Sequence, residues 1–392
     1  MTLSFHLSQI VLRVFRCQYG IQIHLAVAAL VFAQALLPCQ AQAIDQPRQR
    51  LSFNSGWKFS KGDPQDAEGK LAYVKIKDWI TQTGNSFLKE LPKSVELATD
   101  LGADVSYTKP DFDDGAWRQL DLPHDWGIEG PFKQEYPGDT GKLPWWGVGW
   151  YRKHFNIPAE DQGQRILLDV DGAMAYAAIW FNGRFVGGWP YGYSSFQLDL
   201  TPYIKFGGEN VLAIRLDNPK DSSRWYPGGG IYRNVWLEKT GPIHVGQWGT
   251  YITTPEVTKD SATVDVQATV DNQSSANADV TAITKIHELD AKGQITGAPV
   301  ASSEPVSVTI SAGKSATCQT KIKLPNPKLW DLKKPQLYCA VTSIEQNGKV
   351  IDQYATEFGI RTIKFDADKG FFLNGEHVKL NGVCDHHDLG PL

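Results

Sequence analysis

Short apolar runs separated by turn residues make up most of this chain. Ala177-Ala178-Ile179-Trp180-Phe181 and Arg184-Phe185-Val186-Gly187-Gly188 flank the dipeptide Asn182-Gly183. Asn-Gly between apolar runs predicts a two-residue hairpin of type I′, because both central residues must take positive φ. Residues 211–216, closed by Asp217-Asn218-Pro219, and residues 234–239 predict two further strands. Strands this closely spaced, with Gly, Pro and Asn between them, predict a jelly-roll-like β-sandwich for residues 44–240, its strands beginning near Arg50.

A cleaner alternation follows. In residues 263–271, Val264, Val266, Ala268 and Val270 fall on one face, and Val306, Val308 and Ile310 repeat the pattern. That period of two is the mark of a half-buried strand. With Asn347-Gly348 as another hairpin turn, residues 241–361 read as an immunoglobulin-like sandwich. The Cys–Trp–Cys signature of true immunoglobulin domains is not evident. Gly241-Pro242 and Pro255 mark the expected junction. In residues 362–392, Phe371-Phe372-Leu373, Asn374-Gly375 and Val378-Lys379-Leu380 predict a small hairpin, and residues 380–383 the first strand of something larger. A (β/α)₈ barrel needs about 250 residues, so this stretch is expected to hold only a barrel's beginning. The fold class is mainly β.

Composition narrows the partners. A net charge of −4 over 392 residues favours neither nucleic acid nor an anionic membrane. Trp 13, Tyr 14 and Phe 17 make an aromatic-rich set, most of which is expected to fill sandwich cores. Flat rings also suit sugar faces. Arg13 and Arg16 precede an apolar run over residues 23–37, and Ala41 and Ala43 supply small residues for cleavage. Residues 1–43 therefore read as an export signal and the protein as periplasmic or secreted. The run is short for a membrane span, and Pro38 before Cys39 is a poor fit to a lipid anchor. Cys17 and Cys39 belong to this leader. Cys318 shares its phase with Ile322 and is expected to be buried; a Cys318–Cys339 bridge stays open.

Three clusters carry candidate chemistry: residues 112–126, with Asp113, Trp117, Asp125 and Trp126; Arg224-Trp225-Tyr226-Pro227-Gly228-Gly229-Gly230-Ile231-Tyr232-Arg233; and Gly382-Val383-Cys384-Asp385-His386-His387-Asp388. Together with Gly149-Trp150-Tyr151-Arg152-Lys153, and in this order, they resemble glycoside hydrolase family 2, which includes β-galactosidases, β-glucuronidases and β-mannosidases. The resemblance implies a sugar-binding jelly roll, an immunoglobulin-like sandwich and a catalytic (β/α)₈ barrel. The ending Asp385-His386-His387-Asp388 looks most like the β-galactosidase branch, which implies retaining hydrolysis of terminal β-galactosides. A glucuronidase or mannosidase of the family, or a stand-alone carbohydrate-binding module, are the other readings.

Retaining hydrolysis needs two carboxyl groups about 5–5.5 Å apart. In the family both are Glu on later barrel strands, positions this sequence does not contain, so no residue is assigned as catalytic, Glu129 and Glu376 included. The resemblance implies substrate contacts for Asp385, His386 and His387, in the loop after the first barrel strand, and for Arg224 and Trp225. Some members place an acidic residue where Arg224-Trp225-Tyr226 stand. Asp113, Trp117, Asp125 and Trp126 are read as structural. Adjacent histidines on an extended strand point to opposite faces, so His386 and His387 do not form a metal pair. No cofactor is expected.

Overall fold

A computed structural model gives the fold of residues 47–77, 80 and 101–383. Residues 1–43, expected to be an export signal, together with Cys384, Asp385, His386 and His387, lie outside the described residues. The first sandwich is built from β1 (Arg48–Ser52), β2 (Trp57–Lys61), β3 (Arg118–Leu120), β4 (Gly147–Ile157), β5 (Arg165–Val170), β6 (Ala177–Phe181), β7 (Arg184–Trp189), β8 (Phe196–Asp199), β9 (Gly208–Asn218) and β10 (Val235–Thr240). A four-stranded sheet runs β1-β10-β5-β8 and a six-stranded sheet β3-β2-β4-β9-β6-β7. The turn between β6 and β7 has φ of 52° at Asn182 and 82° at Gly183, as the Asn-Gly signal requires. Between the sheets lie Trp57, Tyr151, Leu168, Phe181, Ile214 and Leu237.

The six-stranded sheet is buried on its other face too. Trp150, Trp180, Ala213 and Phe185 point outward into a second core with Leu71, Ile76, Ile80 and Val105. That layer comes from the excursion between β2 and β3, which holds helical residues 73–77 and short 3₁₀ turns at Gln65–Ala67 and Ser106–Thr108. Buried ion pairs fasten it. Arg215 on β9 donates to Asp63 at 2.8 and 2.7 Å, and Arg152 on β4 donates to Asp114 at 2.8 Å. Trp150 and Trp180 donate their indole N–H groups to Asp63 and to Leu101 O. Truncating any of the fully buried Trp57, Trp150 and Trp180 removes packing worth about 3–5 kcal/mol.

The second sandwich comprises β11 (Ile243–Val257), β12 (Ser261–Asn272), β13 (Ala278–Leu289), β14 (Ile295–Ser302), β15 (Val306–Ile310), β16 (Lys314–Pro325), β17 (Tyr338–Gln346) and β18 (Lys349–Phe358). One sheet runs β11-β12-β16; the other runs β14-β13-β17-β18, with β15 also on β13. Gly241-Pro242 lies between β10 and β11, whereas Pro255 does not lie between strands. It lies inside β11, where the pairing with β12 slips between Thr253 and Glu256. A proline has no N–H to give a ladder and is tolerated at such a slip. Cys318 and Cys339 are both buried and free, on strands of opposite sheets.

The two sandwiches are tied by Arg48. Its guanidinium donates to both oxygens of Asp352 on β18 at 3.0 Å, to Glu238 on β10 at 3.0 Å and to Val245 O at 2.6 Å. Beyond β18, β19 (Ile363–Asp366), β20 (Gly370–Leu373) and β21 (Glu376–His377) form a small antiparallel sheet. The Asn374-Gly375 turn is where the sequence puts it, but the returning strand is Glu376–His377. Residues 378–383 carry no strand assignment, and Leu380 and Val383 are exposed. Strand conformation depends on ladder partners, and residues 380–383 have none among the described residues.

Candidate functional site

The glycine-rich segment after β9 is shaped by what it passes. Gly228 and Gly230 have φ of 86° and 129°, conformations open to glycine at little cost. Space is short as well: a Cβ on Gly229 would stand 2.9 Å from the Trp126 indole, and one on Gly230 would stand 2.6 Å from the Tyr151 hydroxyl. The segment runs alongside residues 124–126 in a short ladder. His124 N donates to Ile231 O at 2.9 Å and Trp126 N to Gly229 O at 2.8 Å. Asn218, the last residue of β9, donates to Trp145 O and Gly228 O.

Asp125 is the clamp of this arrangement. Its carboxylate accepts the Tyr226 hydroxyl at 2.8 Å, Gly127 N at 2.7 Å and Gly229 N at 3.0 Å. Burial holds its carboxyl above the usual range despite these donors, and burial likewise raises the Tyr226 phenol. Next to it, His124 Nδ1 and the Tyr151 hydroxyl share a hydrogen bond of 2.6 Å, and His124 Nε2 meets Glu129 at 3.0 Å. Burial lowers the His124 imidazole, with Glu129 opposing. Glu129 is held below its usual range first by its hydrogen bonds from Arg118. Both Glu129 oxygens are engaged by Arg118 and His124, which makes it a brace.

The braced segment presents Arg224 and Trp225, both exposed. Arg224 lines a cavity of about 210 Å³ together with Asp139, Trp145, Trp146, Lys220 and Asp221. The Trp145 indole N–H, almost fully buried, has no hydrogen-bond partner. Trp225 donates its indole N–H to the Tyr193 hydroxyl at 3.0 Å. This combination of flat aromatic walls, two cations and two carboxylates can hold a small polyhydroxylated ligand. Of the residues the sequence proposes, Arg224 lines the cavity and Trp225 stands beside it without lining it, while Asp385, His386 and His387 lie outside the described residues. Asp113 caps the turn at Gly115, Trp126 donates to Trp145 O, and Trp117 packs on Tyr107; these are structural roles. The sequence reading did not find Asp139, Trp146, Lys220 or Tyr193, whose only signal is aromatic and charged residues in turn-rich segments. Among the described residues no cluster of three His, Cys, Asp or Glu could hold a metal, and no helix is long and apolar enough to cross a membrane.

Residues 140–241 match the family model for the sugar binding domain of glycosyl hydrolases family 2, and residues 244–361 match the adjoining family 2 domain model. The boundary falls between β10 and β11. Beta-galactosidase BoGH2A of Bacteroides ovatus is 41% identical over 357 residues, 90% of this chain and 36% of that protein. The chain belongs to glycoside hydrolase family 2. A beta-glucuronidase of Formosa agariphila is 31% identical over 358 residues, 86% of this family 2 chain and 32% of the relative. A solved family 2 member from Bacteroides cellulosilyticus superposes with a TM-score of 0.70 at 34% identity, covering 88% of this chain and 40% of that one. This family 2 chain therefore spans about a third of the length of the curated relatives it matches.

Proposed function

We propose that this chain is the sugar-gripping part of an exported retaining exo-glycosidase that hydrolyses terminal β-galactosides. The observation that carries the reading is the 41% identity, across nine-tenths of this chain, to a protein named a beta-galactosidase. The cavity beside Arg224 supports it. Its lining pairs two acids, Asp139 and Asp221, with two bases, Lys220 and Arg224. That balance suits a neutral sugar better than a uronate, whose carboxylate calls for surplus positive charge. Arg224 donates to sugar hydroxyls and Trp225 offers a ring face to sugar C–H groups. The family resemblance adds Asp385, His386 and His387 as further contacts to the sugar. Such contacts accelerate the reaction only as far as they tighten in the transition state. The pair of carboxyls that cleaves the bond is assigned to no residue of this chain.

A glucuronidase is the second reading, favoured by the Formosa agariphila relative. The discriminating experiment expresses the complete reading frame that contains these residues and compares chromogenic β-galactoside with β-glucuronide. Faster turnover of the galactoside is expected; preference for the glucuronide replaces the first reading by the second. Export over residues 1–43 predicts a mature N-terminus at Ile44, checked by sequencing the protein recovered from outside the cytoplasm. An uncleaved product there defeats it.

A further inference from the structure

Two loops of the first sandwich carry large rings that the core does not use. Tyr191 and Tyr193, on the loop between β7 and β8, are 60% and 43% exposed, and Trp225 is 45% exposed. The two tyrosines meet edge to face at 5.5 Å, and Trp225 reaches the Tyr193 hydroxyl from the other loop. The loop under the tyrosines is pinned. Tyr232 donates its hydroxyl to Gly192 O at 2.9 Å, Ser195 donates to Asp171 O at 3.1 Å, and Trp189 donates to Ser194 Oγ at 2.6 Å. A Cβ on Gly192 would collide with Met174, so the chain there is seated against the sandwich. These rings are held in place before any ligand arrives.

Three half-exposed rings offer on the order of 300 Å², well short of the roughly 800 Å² per partner of a stable protein interface. A pyranose ring is of the right size, since its C–H face lies flat on an aromatic ring while its hydroxyls stay wet. The rings begin one residue from Arg224, which lines the cavity. We propose that Tyr191, Tyr193 and Trp225 form a stacking platform for a second pyranose, so that the ligand is a β-linked oligosaccharide extending past the cavity. The proposal rests on the reading that the cavity takes a sugar, and it adds the chain length of the ligand. Preorganised rings bind with little loss of side-chain freedom.

Isothermal titration calorimetry on the 392-residue chain tests it, with galactose, a β-linked galactotetraose and a β-linked uronic acid tetrasaccharide as probes. One tetrasaccharide binds at least tenfold tighter than galactose; which one names the pyranose. Tyr191→Ala loses at least tenfold on that tetrasaccharide and less than twofold on galactose, and Trp225→Ala loses at least tenfold on the tetrasaccharide. Tyr193→Phe keeps the ring but releases Trp225, and loses two- to threefold. Trp248→Ala, at an exposed tryptophan of the second sandwich, changes nothing. Equal affinity for galactose and both tetrasaccharides, or unchanged tetrasaccharide affinity in Trp225→Ala, overturns the platform. So does a dimer, seen by sedimentation, that Trp225→Ala abolishes. Loss of galactoside hydrolysis by the complete enzyme does not enter these readouts, so the hydrolase reading and the platform fail separately.

Discussion

Asp125 holds the segment that carries Arg224 and Trp225, and replacing it has a consequence large enough to measure. In Asp125→Ala two backbone amides, Gly127 N and Gly229 N, and the Tyr226 hydroxyl lose their acceptor. Each buried donor left alone costs about 1–3 kcal/mol. Part of this is offset, because the carboxylate itself is desolvated, as its raised pKa indicates. The net expectation is a loss of about 3 kcal/mol for Ala. Asp125→Asn keeps an oxygen for the amides and gives up only the charge on the Tyr226 bond, so it costs about 1 kcal/mol. With a urea slope of about 2–3 kcal/mol per M, the midpoint of the first sandwich falls by about 1 M in the Ala variant and by a third of that in the Asn variant. The assay is urea unfolding followed by tryptophan fluorescence. If Asp125→Ala unfolds within 0.2 M (about 0.5 kcal/mol) of the parent, the clamp is an accident of packing and the reasoning fails.

Asp169 gives a pH-dependent test. Burial beside Glu238 pushes its carboxyl up to about 6, with Arg50, Asp171, Gln197 and Gln247 also facing it. The unfolded chain ionises this group near pH 4 and the folded chain near pH 6. Stability from this residue therefore falls as pH rises through that window, and the full penalty, about 2–3 kcal/mol, applies above it. Asp169→Asn is expected to stabilise the protein at pH 7.5 and to be neutral at pH 4; equal effects at both pH values defeat the assignment. Cys318 and Cys339, free and buried, predict an unfolding midpoint unchanged by reductant and thiols that react with Ellman's reagent only after unfolding, in a Cys384→Ser protein without residues 1–43, which carry Cys17 and Cys39. A reductant-sensitive midpoint contradicts this. The 392-residue polypeptide alone is expected not to hydrolyse a chromogenic β-galactoside, since its described residues close no barrel; measurable turnover by pure chain refutes that.

What the sequence revealed and what it hid divide along physical lines. Each Asn-Gly turn was legible because its chemistry is local: φ is 52° and 73° at Asn347-Gly348 and 52° and 83° at Asn374-Gly375. β12 was legible because one of its faces meets the core and the other meets water, which writes a period of two into the sequence. The layer over the six-stranded sheet was not. Its described residues hold the helical stretch 73–77 and short 3₁₀ turns, too little to write a clear helical period into the sequence. Its fastening is also non-local, with Asp63 and Arg215 separated by 152 positions. A trace of it was present all the same. Every residue of β6 is buried, and a strand without alternation is a strand covered on both faces.

The site divides in the same way. Arg224 and Trp225 are proposed by resemblance, whereas Tyr191 and Tyr193 draw no attention because aromatics in a sandwich are expected in its core. That expectation holds for Trp57, Trp150 and Trp180, which sit on strands and are fully buried. It fails for a ring in a turn. Tyr191 and Tyr193 flank a glycine between two strands, where the backbone has already left the sheet and no layer of the described residues covers their side chains. An aromatic there loses the stabilisation of burial, about 1.5–3 kcal/mol for a ring such as Phe. When such a ring is also braced from below, as these are by Tyr232 and Ser195, its exposure is a built feature of the surface. Turn position combined with ring type is therefore the sequence signal for the exposed rings of the proposed platform, and composition alone does not supply it.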